Sequence, residues 1–192
     1  NLLGLRIKTE AQQMFAEIVY QPRDPFSRQV VVDKGATHGV KLGSPAIDIT
    51  GVLGQVIRVH PWTSTISLVT HRDHPVPVQI ARNGLRAVVF GMGYDSSMEI
   101  RFLPLDADIR EGDILATSGI GGVYPPNLPV GSVSQITRDD SFPFAKISVS
   151  PVSRIGRHKQ VLLLSKVDDT TRVLDMKSND ENDLDMDVTE DD

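Results

Sequence analysis

What most constrains this chain is how its apolar residues are distributed. They fall in short runs rich in Val, Ile and Leu, each cut off by Gly, Pro or Asp, with no helical periodicity between them. Such runs suit pleated, half-buried surfaces, because branched side chains pack well there and turn residues end them. Twelve strands are expected, near MFAEIVY, RQVVVDK, PAIDI, GQVIRVH, STISLVT, PVQIAR, LRAVVFG, SMEIRFLPL, DILATS, GSVSQIT, FAKISVSPV and QVLLLSK. Without helices to cover a parallel sheet, the class is all-β. Barrels solve the problem of exposed strand edges by closing on themselves.

An internal repeat sharpens this expectation. VKLGSPAI (40–47) is followed by LGQVIRV (53–59), and IREGDILA (109–116) by VGSVSQI (130–136). Gly43 then matches Gly112, and Gly54 matches Gly131, each of the latter leading a strand where a missing side chain permits close packing or a bulge. The extra length of the second copy falls in SGIGGVYPPNLP (118–129). Two similar small barrels of the six-stranded type, side by side, follow, the second with an elaborated loop. The divisions expected are a helix end over 1–13, a first barrel over 14–84 with room for C-terminal strands to join it, a second barrel over 85–166, and a tail over 167–192.

Charge sets the tail apart. From Asp168 to Asp192 there are 11 acidic residues against Arg172 and Lys177, whereas all 15 glycines and 12 prolines lie before Asp168. Self-repulsion and few large apolar groups predict disorder there. The body is mildly basic, but its cations are scattered and aromatics make up 5% of the chain, which argues against nucleic acid. With no cysteine, thiolate metal sites and disulfides are excluded. At the start, Leu2, Leu5 and Ile7 have roughly helical spacing, weakened by Gly4. The opening residue is Asn1 rather than Met, so the chain reads as part of a longer protein that carries any membrane or targeting segment.

Three stretches invite a chemical reading. LATSGIGGVYPPNLPVGSV (115–133) holds Ser118 in a Gly-rich setting, but it runs into a strand rather than a helix N-terminus, so it is no phosphate cradle. As a nucleophile, Ser118 needs an oriented base. His38, His60, His71, His74 and His158 are the candidates, with Asp73 and Asp106 to orient them, and none is marked as its partner. A two-barrel serine hydrolase of the chymotrypsin type is therefore the alternative, and Ser118 the expected turn residue. His71 and His74 flank Asp73, yet a strand ending at Pro75 splays them apart and no third ligand is evident; no metal and no cofactor are expected. A wall-glycan-binding module would want more exposed aromatics than one Trp and three Tyr. The loop Gly121, Gly122, Val123, Tyr124, Pro125 and Pro126 is either a docking loop, its prolines limiting the entropy lost on binding, or a structural loop packed between barrels.

Taken in order, these residues resemble the rod-shape-determining MreC family. The Asp-Lys-Gly turn falls at Asp33-Lys34-Gly35, a glycine-led strand at Gly51–Val56, a Gly-Asp…Thr-Ser-Gly strand at Gly112–Gly119, and a Pro…Val-Gly exit at Pro126–Gly131. Residues 1–13 resemble the end of the coiled coil that precedes the β region of that family. The resemblance implies the periplasmic part of a bacterial inner-membrane protein, with two β-barrels, self-association as dimer or filament, and a scaffold role in wall elongation. It implies as partners a class B penicillin-binding transpeptidase, MreD, RodA and, indirectly, MreB. It carries over no catalytic residue. Gly35, Gly39, Gly43, Gly54, Gly112, Thr117, Ser118, Gly119 and Gly131 are expected to hold turns and close packing.

Overall fold

A computed structural model describes residues 13–22, 28–72, 74–93, 97–153 and 159–164. Of the helix end expected over 1–13, residues 1–12 lie outside the described residues, as does the tail over 167–192; residue 13 belongs to a strand instead. In chain order the strands are β1 (Gln13–Tyr20), β2 (Gln29–Val32), β3 (Pro45–Ile47), β4 (Val52–Val59), β5 (Ser64–Leu68), β6 (Pro75–Ile80), β7 (Arg86–Gly91), β8 (Met98–Ile100), β9 (Ile114–Thr117), β10 (Pro129–Thr137), β11 (Lys146–Pro151) and β12 (Gln160–Leu164). Each of the twelve expected runs overlaps one of them, although β1, β4, β6 and β10 begin one or two residues ahead of theirs.

They close into two six-stranded barrels, β1-β12-β3-β4-β5-β2 and β10-β11-β8-β7-β6-β9, with every pairing antiparallel. Alternation puts Val30 and Val32 of β2, Val76, Val78 and Ile80 of β6, and Ile147 and Val149 of β11 inside. Proline within a strand lacks a ladder donor. In β6, Pro75 and Pro77 stand ahead of the segment that β9 covers, which begins at Val78.

The repeat extends to the register. β1–β5 correspond in order to β7–β11. Ala46 and Leu68 flank Gly54 across β3-β4-β5, as Leu115 and Pro151 flank Gly131 across β9-β10-β11. The two long strands slip register at matching points, between Val56 and Arg58 in β4 and between Val133 and Gln135 in β10. Gly43 N donates to Val56 O, and Gly112 N to Val133 O, both at 2.8 Å.

The sixth position breaks the pattern of succession. In the first barrel it is held by β12, between β1 and β3; in the second by β6, between the corresponding β7 and β9. The boundary expected at 84/85 therefore has to be corrected as a division between barrels. It separates six strands from six, but β6 lies in the second barrel. Alternation specifies a strand and its buried face, not its neighbour. The chain enters and leaves the described body at one place, since Gln13 pairs with Leu164.

One hydrophobic cluster fills the first barrel, around Val30, Val56, Ile66 and Leu68. The other fills the second and reaches across the joint to Ile47, Val52, Leu162 and Leu164. The β3–β4 turn completes this joint. Asp48 is buried; its Oδ1 accepts from Thr50 N at 2.7 Å and Gly51 N at 3.0 Å, and its Oδ2 accepts from Ser153 Oγ, just past β11. At Gly51 an added Cβ would lie 2.2 Å from Pro129 O, so only glycine lets the two barrels meet there.

Candidate functional site

The elaborated loop between β9 and β10 occupies the place that the short β3–β4 turn takes in the first barrel. Its neck is knotted by Thr117, which is fully buried. Thr117 N donates to Leu128 O at 2.8 Å, Asn127 N donates to Thr117 O at 2.8 Å, Leu128 N donates to Thr117 Oγ1 at 2.9 Å, and that hydroxyl donates to Pro125 O. Ser118 N donates to Pro77 O at 3.1 Å, tying the loop to β6.

Of the two readings left open for this loop, Tyr124 follows the structural one: it points inward, is 4% exposed and packs with Leu128 in the cluster that spans the joint. Its Oη lies 2.9 Å from His74 Nε2, which is 8% exposed just ahead of β6; the direction of this hydrogen bond follows the imidazole tautomer. Burial, with repulsion from His71, pushes the His74 pKa down to about 4, so the ring is neutral at pH 7. Burial also raises the Tyr124 phenol. What the loop offers to solvent is its tip: Ile120 is 49% exposed, between Gly119 and Gly121, which are both left-handed, with Gly122 and Pro126 also exposed and Val123 and Pro125 half-buried.

Several of the residues that could have carried chemistry are engaged in local bonds of this kind. Ser118 Oγ accepts from Ile120 N at 3.4 Å, a turn contact. His74 is engaged with Tyr124, His71 Nδ1 lies 2.8 Å from Arg72 O, and His38 Nδ1 accepts from Gly35 N at 3.2 Å. Asp73 and His158 lie outside the described residues. Among the described residues, no group of three His, Asp or Glu is arranged to hold a metal ion. Of the remaining turn glycines, Gly35 packs against the β4–β5 hairpin, Gly39 ends the short turn Ala36–His38, and Gly43 and Gly112 precede β3 and β9.

Sequence reasoning missed an exposed aromatic cluster. Phe102 is 69% exposed, Phe142 62% and Phe144 44%, and they line a cleft of about 400 Å³ where β8 runs out and the β10–β11 hairpin turns. The rings of Phe102 and Phe144 meet edge to face, 5.7 Å between centroids, and Phe102 holds a left-handed backbone at φ 63°. Beside them Arg101 pairs with Glu99 and lies 4.6 Å over the Phe90 ring. The Phe-Pro-Phe of the polar DDSFPFAK turn was the available signal, since a hairpin tip has no core to bury two rings.

Residues 18–165 match the family described as rod shape-determining protein MreC, barrel core. The chain belongs to the MreC family. Cell shape-determining protein MreC of Escherichia coli is 37% identical over 164 residues, covering 85% of this chain and 45% of the relative, and that of Haemophilus influenzae is 36% identical over 163 residues, covering 85% and 46%. The chain thus spans about half the length of the curated relatives it matches. A solved MreC structure from Pseudomonas aeruginosa superposes with a TM-score of 0.77 at 37% identity, covering 80% of this chain and 99% of that one. A chain in a solved complex between Penicillin-Binding Protein (PBP2) and MreC from Helicobacter pylori shares the fold, with a TM-score of 0.66 at 17% identity, covering 83% and 100%. No helix among the described residues of this MreC-family chain is long and apolar enough to cross a membrane.

Proposed function

We propose that this chain is the periplasmic two-barrel part of a non-enzymatic scaffold in the bacterial elongation complex. It maintains rod shape by binding peptidoglycan-synthesis proteins, first among them a class B penicillin-binding transpeptidase. Family membership supports the role in shape, and the solved complex of a similarly folded MreC with a penicillin-binding protein supports the partner. Self-association, and contacts with MreD, RodA and indirectly MreB, belong to the same reading, as does anchoring in the inner membrane through a segment ahead of the barrels.

The observation that carries the reading is the exposed trio Phe102, Phe142 and Phe144, rigid aromatic area of the kind that anchors protein interfaces. Ser118, by contrast, has its hydroxyl in a turn contact. A scaffold changes its partner's activity only by binding one of the partner's conformations more tightly than another, and here it selects the active transpeptidase. The test is binding of the full-length protein to a class B transpeptidase, with and without F142S and F144S together. Both side chains are solvent-exposed, so the fold is kept and affinity is expected to fall at least tenfold. Unchanged affinity removes this surface from the reading; no binding by the unsubstituted protein, or fluorophosphonate labelling of Ser118, removes the reading itself.

A further inference from the structure

The two barrels are alike in register but unlike in how the chain builds them. The second runs without interruption from Pro75 to Pro151 and closes with no strand from elsewhere. The first is interrupted: after β5 ends at Leu68 the whole second barrel intervenes, and only then does β12, from Gln160, fill the gap between β1 and β3. The strand that would have followed β5 by simple succession, β6, sits in the corresponding slot of the other barrel.

We infer that this exchange of sixth strands fixes the order in which the molecule opens, the first barrel before the second. The two half-open states are not equivalent. If the first barrel opens alone, the second keeps all six of its strands. If the second opens alone, β12 must stay seated at the end of a slack loop running from Leu68 to Gln160, and the entropy cost of closing a loop rises with its length. The joint contacts, including Asp48 with Ser153 and Gly51 against Pro129, are lost in both cases and so do not choose between them. The second barrel therefore opens only when the first is already open. A partner gripping the second barrel keeps its hold while β12 leaves and returns, and each departure uncovers the facing edges of β1 and β3.

Native-state amide hydrogen exchange on the full chain reads this order, because protection reports the free energy of the opening that exposes each amide. Val56 and Val133 are the same position in the two barrels, at the matching register slips, and both are buried. In V56A, the slowest amides of both barrels are expected to exchange faster by the same factor, about tenfold, since opening the second barrel includes opening the first. In V133A, acceleration is expected in the second barrel alone. Acceleration confined to the altered barrel in both variants means the barrels open independently and overturns the inference. So does acceleration of both barrels by V133A, whether V56A affects one barrel or two. If either valine variant is too unstable, I66V and I147V remove one methyl from a buried core position of each barrel and read the same pattern.

Discussion

At the scale of single residues, a few positions are held by what has no room to be there. A Cβ on Gly54 would come 2.0 Å from Ser67 O and 2.9 Å from Leu68 Cα, both backbone. At the matching Gly131 the nearest atoms are Ser150 O at 2.7 Å, Val149 Cγ1 at 2.7 Å and Met98 Cε at 3.1 Å, two of them on side chains that can shift. Gly54→Val is therefore expected to cost about 3 kcal/mol or more and Gly131→Val distinctly less, as separate thermal melts of the two variants will show. His74 sets a second prediction. Its pKa is about 4 when folded and 6.5 in the exposed chain, so the unfolded state binds more protons between those values. Stability is thus full above pH 6.5 and falls as pH drops towards 4, by roughly 2–3 kcal/mol. Urea midpoints at pH 7 and pH 4.5 should converge in His74→Gln, which cannot titrate.

At the scale of elements, the long β9–β10 loop is ordered by two interior anchors rather than by its prolines alone. Tyr124→Phe removes the hydroxyl and leaves the buried His74 Nε2 without its partner, at a cost of about 1–2 kcal/mol. The expected readout is faster proteolysis within 118–126, with cleavage elsewhere unchanged. This element also marks the limit of what was legible beforehand. The strands could be read because branched residues, alternation and Gly/Pro punctuation are local signals, and a repeat of two glycines was enough to pair Gly54 with Gly131. Tyr124 was unreadable because an aromatic in a Gly/Pro loop looks the same whether it faces a partner or a histidine 50 residues away. The place of β6 was unreadable for a related reason: PVPVQI has the same alternation in either barrel, and only the partners β7 and β9 decide.

At the scale of the whole molecule, the joint makes two barrels into one body. Gly51 is its tightest point, and Gly51→Val would drive a branched side chain into Pro129 O and Val152 Cγ2 at a φ of +157°. The expected result is a calorimetric melt that divides into two transitions where the parent shows one, each barrel keeping its own core while the shared apolar contacts part. A single transition at an unchanged temperature would show that the joint tolerates the intrusion. The pairing of Gln13 with Leu164 has a mechanical meaning of its own. Because the leading and trailing segments depart from facing residues of neighbouring antiparallel strands, tension between them peels β1 from β12 one rung at a time instead of shearing many rungs at once. The seam nearest the attachment is where such a load would first give way.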